Sequence, residues 1–225
     1  MLLYYITNRS AFRGTDSERQ SALLHRIAEA AGAGVDYIQL REKDLPVREL
    51  ERLANEAVRA VRDNSDHTKL LINSRSDIAL ACGADGVHLP SDDLAASDAR
   101  ALWMKCSDRP PIIGVSAHSI ADVRLAESHG ANFTVLAPIF EKPNTSVRGL
   151  GLEVLREACS GLSAADEFAV LALGGVNLEN AAACLVAGAS GIAGIRLFQT
   201  GSAEQTVRRL RGLALTALRA RSEPA

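Results

Sequence analysis

Short apolar segments alternate with longer amphipathic segments along this chain. The apolar segments are rich in β-branched and aromatic residues, which is typical of buried strands. The amphipathic segments repeat their apolar residues at helical spacing. The pattern predicts eight strands, which are Leu2–Thr7, Val35–Arg41, Lys69–Asn73, Gly86–Leu89, Ile112–Val115, Phe133–Ala137, Ala169–Leu173 and Gly191–Ile195.

A helix is predicted after each strand, and capping residues mark several of the starts. Ser17 with Gln20 has the spacing of a capping box for the first helix. Ser119 with Asp122 caps the helix after the fifth strand, and Asn177 can cap the helix after the seventh. The helices therefore begin close behind the strands, and the connections are short.

The even alternation of strands and helices predicts a (β/α)₈ TIM barrel. Right-handed crossovers between parallel strands close naturally into such a barrel. A doubly wound open sheet is the alternative, but it usually has fewer strands. We expect a single barrel domain over residues 1–218 and a frayed C-terminal tail over residues 219–225.

Composition excludes several classes of function. The 225 residues carry a formal net charge of −2 and a pI near 6.2, so the chain has no basic field for nucleic acid. No apolar run approaches the length of a membrane span. The four cysteines form no C-x-x-C pair, which indicates free thiols in a reducing, cytoplasmic compartment. An apolar face of the barrel helices could pair two chains into a homodimer.

The end of the second strand carries the most informative polar residues. Gln39, Arg41 and Lys43 recur with period two, so an extended chain points all three the same way. A guanidinium, an ammonium and an amide that converge can hold a multiply charged anion such as a diphosphate. The alternative is a strand end that merely carries solvated charge.

Other polar residues follow the predicted strands, at the edge where barrels of this type carry their active sites. They are Asn73 after the third strand, Ser116 and His118 after the fifth, Gly174 and Gly175 after the seventh, and Arg196 after the eighth. The glycine pair lets backbone N–H groups approach a phosphate, or it makes a tight turn. His118 could shuttle a proton, or it could only be hydrogen-bonded at the start of a capped helix.

Two adjacent carboxylates, Asp92 and Asp93, follow the fourth strand. Carboxylate oxygens suit Mg²⁺, which proteins commonly hold together with phosphates. Asp92 is better explained as the N-cap of the next helix. A role in Mg²⁺ binding stays open for Asp93.

Several blocks together resemble thiamine phosphate synthases and their thiazole tautomerase relatives, in the expected order along the barrel. They are Gly34-Val35-Asp36-Tyr37-Ile38-Gln39-Leu40-Arg41-Glu42-Lys43-Asp44, Leu71-Ile72-Asn73, Ala84-Asp85-Gly86-Val87-His88-Leu89, Gly114-Val115-Ser116-Ala117-His118-Ser119 and Leu173-Gly174-Gly175-Val176.

The synthase resemblance implies a transferase of thiamine biosynthesis. Hydroxymethylpyrimidine diphosphate would lose diphosphate, and the nitrogen of the thiazole phosphate would attack the pyrimidine-methyl cation. The resemblance implies that Gln39, Arg41 and Lys43 hold the diphosphate with Mg²⁺, that Asn73 places the pyrimidine, that Ser116 lies near the reacting centre, and that Gly174 and Gly175 hold the thiazole phosphate.

The chain departs from the synthases at three places. Ser74 stands where they usually have a metal-binding aspartate, which leaves only Asp93 at the second ligand position. Their Thr-x-Thr-Lys loop is absent, and Lys142 could partly substitute for it as a substrate ligand. Arg196 replaces a usual serine and could bind phosphate in a different geometry.

The tautomerase branch is the alternative within this resemblance. It also lacks the aspartate, and it resembles this chain at Leu89-Pro90-Ser91 and Phe140-Glu141. Its proton shift on a thiazole carboxylate phosphate needs an acid/base such as His118 and no diphosphate site. That branch tends not to keep Gln39 with Lys43, so a synthase is expected. A non-catalytic barrel that binds a thiamine precursor is a third alternative.

Overall fold

In a computed structural model of the chain, which describes residues 1–141, 147–162 and 168–222, eight parallel strands form one closed barrel. Each strand pairs with the next along the chain, and the last pairs with the first. The predicted (β/α)₈ barrel is therefore confirmed. The strands are β1 (Leu2–Ile6), β2 (Tyr37–Leu40), β3 (Lys69–Asn73), β4 (Gly86–Leu89), β5 (Ile112–Ala117), β6 (Phe133–Leu136), β7 (Ala169–Ala172) and β8 (Gly191–Gly194).

Helices surround the barrel, and a short 3₁₀ turn, Arg9–Ala11, precedes the first of them. They are α1 (Asp16–Gly32), α2 (Val47–Arg62), α3 (Ser76–Cys82), α4 (Ala96–Trp103), α5 (Ile120–Ser128), α6 (Gly151–Ser160), α7 (Ala181–Val186), α8 (Arg196–Gln199) and α9 (Ala203–Ser222). None of the helices in the described ranges is long and apolar enough to cross a membrane.

The C-terminal part of the barrel differs from the predicted elements. The short helix α8 follows β8 directly, and Arg196 is its first residue. The final helix continues to Ser222, so residues 219–222 of the predicted tail are helical, while residues 223–225 lie outside the described chain.

Two of the predicted caps need correction. The capping box of α1 is made by Thr15 and Glu18, because the helix begins two residues before the predicted start. Gln20 instead accepts a hydrogen bond from Arg52 on α2. Asn177 caps the turn ahead of α7 and not the helix itself, whereas the predicted Ser119 cap of α5 is confirmed.

Side chains alternate between the inside of the barrel and the helix layer, as the pleat of a strand requires. On β1, Tyr4 points inward and Tyr5 packs outward against the helices. The inner core is small and rich in aromatic rings. Tyr37 stacks on Phe133 with ring centroids 5.1 Å apart, and Tyr4 meets Phe133 edge-on at 5.2 Å.

Glycines inside the strands make room for this core. A Cβ on Gly114 would overlap the ring of Phe133 and lie 2.9 Å from Nδ1 of His88. A Cβ on Gly86 would overlap the backbone of Ile112 on the neighbouring strand. These glycines are required by close packing, since neither has a left-handed backbone.

We predict that Gly86→Ala destabilises the protein by about 2–3 kcal/mol, because the neighbouring strand must shift to accept the methyl group. Urea denaturation would measure the change. Gly212→Ala, on an exposed position of helix α9 where an added Cβ would meet no atom within 4 Å outside the helix backbone, is the control. It should stabilise the protein by about 0.5–1 kcal/mol. Equal effects of the two variants would contradict this account of Gly86.

Candidate active site

A cavity of about 1580 Å³ opens at the carboxyl ends of the strands. Its wall is built from inward-facing strand positions and from the loops that follow them. The sequence-predicted residues that line it are Gln39, Arg41, Lys43, Asn73, Ser116, His118, Gly174, Gly175 and Arg196. The barrel therefore brings together residues that are far apart in the sequence.

Two further predicted residues have to be considered. Lys142 lies outside the described residues. Asp93 is exposed and does not line the cavity, and its carboxylate accepts the N–H of Leu94 at 2.8 Å. Its neighbour Asp92 does line the cavity. Helix α4 begins only at Ala96 with Ala95 as its N-cap, so the interpretation of Asp92 as a helix cap is wrong.

The end of β2 presents free polar groups to the cavity. Gln39 is only 1% exposed, and its side-chain Nε2 is buried with no hydrogen-bond partner among the residues that the structure describes. The side chains of Arg41 and Lys43 make no ion pair or hydrogen bond within the described part of the chain. A buried amide donor without a partner is costly, so it indicates a place for a ligand acceptor.

The residues between these three face the other way and hold the strand end. Glu42 is buried and accepts the Thr7 hydroxyl at 2.6 Å and the backbone N–H of Arg9 at 3.0 Å. The same Thr7 oxygen accepts the N–H of Arg41 at 2.9 Å. The Arg9 guanidinium donates to both carboxylate oxygens of Asp44 at 2.8 Å.

In this network, burial and hydrogen bonding have opposite effects on the pKa values of the carboxyl groups. Desolvation raises the pKa of Glu42, and the donors from Thr7 and Arg9 oppose that rise. The hydrogen bond from Arg9 lowers the pKa of Asp44. The network fixes the backbone of Arg41, so the two cations beside Glu42 keep their direction into the cavity.

An uncharged hydrogen-bonded chain crosses the floor of the cavity. The Tyr4 hydroxyl lies 3.1 Å from Nδ1 of His88, and Nε2 of His88 lies 2.9 Å from Oγ of Ser116. Ser116 is part of β5, which is longer than predicted and ends at Ala117. Burial, with a smaller contribution from the charge of Arg41, lowers the pKa of His88 to about 3. The imidazole is therefore neutral.

His118 lies at the rim of the cavity and is exposed. Its Nδ1 is 2.8 Å from the carbonyl oxygen of Ala137, and a carbonyl can only accept. Nδ1 therefore carries the hydrogen, and in the neutral ring Nε2 keeps a lone pair. The backbone N–H of His118 donates to Asp122 of the capped helix α5.

The glycine pair after β7 has the geometry of an anion-binding turn. Gly174 has φ +90° and Gly175 has φ +67°, and a Cβ on either residue would lie within 2.7 Å of Pro138 or Phe140. Their N–H groups have no hydrogen-bond partner in the ranges that the structure describes. Two free N–H groups at a strand end suit a phosphate.

Charges of both signs surround the cavity. Arg196 and Arg209 are exposed cations on the α8 and α9 side. The acidic residues of the wall are Asp92, Glu141 and Glu179. The described residues contain no group of three or more His, Cys, Asp or Glu that could hold a metal ion by themselves.

Sequence reasoning missed the groups that support the site. His88 lies in one of the sequence blocks that resemble the synthases, but its contact with Tyr4 joins residues 84 positions apart. Its position in β4, where an ionisable residue faces the barrel interior, is a signal that could have indicated it. Thr7 and Arg9 gave no such signal, because their role depends on how β1 lies beside β2.

The fold, with a cavity at the carboxyl ends of its strands, is that of a (β/α)₈ barrel enzyme. A family model described as thiamine monophosphate synthase matches residues 3–198. The chain belongs to this family.

Relatives support the assignment. A protein of Aquifex aeolicus that is named as candidate thiamine-phosphate synthase 2 is 40% identical over 197 residues. These are 87% of this chain and 96% of the relative. The thiamine-phosphate synthase of Syntrophomonas wolfei is 35% identical over 212 residues, which are 93% and 94% of the two chains. The solved thiamine phosphate pyrophosphorylase of Pyrococcus furiosus is 28% identical, with a TM-score of 0.78 over 96% of both chains.

We predict that Thr7→Val lowers the free energy of unfolding by about 1–3 kcal/mol, because it leaves the buried Glu42 carboxylate short of a donor and frees the Arg41 N–H. Urea denaturation would measure it. Thr134→Val is a control, since Thr134 is also fully buried and donates only to the carbonyl of Val115. It should cost less, and an equal cost would contradict a special role for Thr7.

We predict that His88 makes stability depend on pH. Its folded pKa of about 3 lies below the ordinary 6.5, so the unfolded chain binds more protons between these values. This contribution is complete above about pH 6.5 and falls by about 1.4 kcal/mol per pH unit on acidification. His88→Gln should therefore lose less stability than the wild type between about pH 7 and pH 4.5.

Urea denaturation at the two pH values would measure this difference. The control is His67→Gln, which removes an exposed histidine that does not line the cavity. The same slope for His88→Gln and the wild type would contradict a neutral, buried His88.

Proposed function

We propose that this protein is a thiamine-phosphate synthase, which joins hydroxymethylpyrimidine diphosphate to thiazole phosphate and releases diphosphate. The observation that carries the proposal is that one cavity has polar groups suited to an anion at two separate places. Gln39, Arg41 and Lys43 lie at one place, and the free N–H groups of Gly174 and Gly175 lie at the other. A reaction between two phosphorylated substrates needs both.

The end of β2 supplies the electrostatic part of the reaction. The bond between the pyrimidine methylene carbon and the diphosphate oxygen breaks, and both electrons leave with the diphosphate. Arg41 and Lys43 compensate the negative charge that develops on this leaving group. Gln39 donates its otherwise unpaired amide hydrogen to the same group. The thiazole nitrogen then forms the new carbon–nitrogen bond.

The neutral floor of the cavity places the pyrimidine. Asn73 and Ser116 are inward positions of β3 and β5, and they offer uncharged hydrogen-bonding groups to a flat heteroaromatic ring. A neutral floor suits a cationic intermediate better than a second guanidinium would, since like charges repel. The glycine turn and Arg196 hold the phosphate of the thiazole.

Mg²⁺ fits this site through one carboxylate and the oxygens of the substrate, which is a common way for proteins to hold that ion. Asp92 faces the cavity, whereas Asp93 does not line it, so Asp92 is the better donor of the two. Ser74 has φ +60° and its hydroxyl accepts from Asn73, so it offers a neutral oxygen at most. When bound, the ion supplies further charge compensation to the diphosphate.

A thiazole tautomerase is the second candidate function. One observation favours it: the Nε2 lone pair of His118 is left free at the rim of the cavity, where it could accept and return a proton. This reaction would leave Gln39, Arg41 and Lys43 without a role. A cytoplasmic location and a homodimer stay predictions from the sequence.

The synthase proposal predicts thiamine phosphate formation when both substrates and Mg²⁺ are supplied. Arg41→Ala should lower kcat/KM by at least about a hundredfold, because a charge that stabilises the leaving group is lost. Arg48→Ala removes an exposed arginine that does not line the cavity and should leave turnover unchanged. Near-normal turnover of Arg41→Ala would contradict the diphosphate assignment.

The metal assignment can be tested in the same assay. Asp92→Asn should raise the Mg²⁺ concentration needed for half-maximal rate, and Asp93→Asn should change it less. No product at any Mg²⁺ concentration would contradict the synthase. Tautomerisation of the thiazole carboxylate phosphate, abolished by His118→Asn, would then establish the second candidate.

A further inference from the structure

The chain of groups from Tyr4 through His88 to Ser116 has the order of a base and a nucleophile. Its distances, 3.1 Å and 2.9 Å, are ordinary hydrogen bonds. In that order His88 would accept the serine proton and activate Ser116 for attack. Assigning one hydrogen to each donor from Tyr4 to Ser116 gives the opposite direction, in which His88 donates to Ser116.

Tyr4 decides the direction of the first hydrogen bond. Its side chain is fully buried, and Nδ1 of His88 is the only hydrogen-bond partner of its hydroxyl in the described chain. Burial raises the pKa of Tyr4 well above its ordinary value, so the phenol keeps its proton. A buried O–H that does not donate would cost a full desolvation penalty. Tyr4 therefore donates, and Nδ1 of His88 accepts.

His88 then has only one arrangement left. A neutral imidazole carries one N–H and one lone pair. Because Nδ1 uses the lone pair for Tyr4, Nε2 carries the hydrogen and donates to Oγ of Ser116. The ring is held in place, since the absence of a side chain at Gly114 leaves just enough room for it beside Phe133.

We propose that Tyr4 and His88 are positioning residues that fix the Ser116 hydroxyl as a hydrogen-bond donor toward the substrate. Since Oγ of Ser116 already accepts from His88, its own hydrogen is free to point into the cavity that Ser116 lines. The substrate atom that it meets must then be an acceptor. His88 has no lone pair left to act as a base for Ser116.

The nature of the acceptor rests on the proposed function. In an aminopyrimidine, the ring nitrogens carry lone pairs and the exocyclic amino group donates. A locked donor at Ser116 therefore selects a ring nitrogen and rejects the amino group at that position. Reversing the chain of hydrogen bonds would reverse this preference, because Ser116 could then only accept from a ligand.

The direction of the hydrogen bonds can be measured in the free protein. Heteronuclear NMR of imidazole-labelled protein distinguishes the two neutral tautomers of a histidine. The signal of His88 is the one that is missing from His88→Gln and that does not titrate between about pH 5 and pH 8. We expect the Nε2–H tautomer. The Nδ1–H tautomer would overturn the proposal.

A kinetic cycle tests whether Tyr4 acts through Ser116. Tyr4→Phe keeps the ring but frees His88 to adopt either tautomer, so it should lower kcat/KM by about three- to tenfold, the range expected for one hydrogen bond. The single variant Ser116→Ala should lower kcat/KM by a larger factor than Tyr4→Phe does. In the Ser116→Ala background, Tyr4→Phe should have no additional effect. Additive losses would overturn the proposed coupling.

Tyr5→Phe is the matched control. Tyr5 is the neighbouring buried tyrosine of β1, but it faces the helices, and its hydroxyl has no hydrogen-bond partner among the described residues. Its removal should leave kcat/KM and the His88 signal unchanged. If the protein makes no thiamine phosphate, the proposed function fails, while the tautomer of His88 still decides the direction of the hydrogen bonds.

Discussion

The buried carboxylate of Glu42 is the constraint on which the site depends. It lies between two cations in the sequence, just after β2, but unlike them it is buried and does not line the cavity. Desolvation works against its charge, and donors from Thr7 and Arg9, which follow β1, offset this cost. Because those donors also hold the backbone of Arg41, the same hydrogen bonds stabilise the strand end and direct the positive charge of the cavity.

Three kinds of polar group lie at three separate parts of the cavity wall. The strand end of β2 carries free cations, the turn after β7 carries free backbone N–H groups, and the floor carries neutral donors. The separation matters because a leaving diphosphate and an incoming phosphate would repel each other if they met at one place. In the proposed reaction the two groups would bind at different parts of the wall, with an uncharged ring between them.

The barrel itself could be predicted because strands and helices alternate evenly along the chain. Each strand–helix unit places the next strand parallel to the last, and eight such strands close into a barrel. The cavity residues at strand ends could also be predicted, since a barrel gathers its carboxyl ends at one face. The supporting contacts could not. Tyr4 and His88 meet across the interior, and Thr7 reaches Glu42 from just after β1, so both contacts depend on how the strands are aligned. Asp92 was misjudged because the start of α4 was predicted too early.

Strand β5 places two polar side chains at different depths of the cavity. Ser116 lies on the floor and belongs to a network that reaches the barrel interior, whereas His118 lies at the rim, where it is exposed. Substitutions at the rim can therefore change the reaction that follows binding without changing how the floor binds a heteroaromatic ring. One barrel could in this way pass from one reaction to another during evolution while keeping its floor intact.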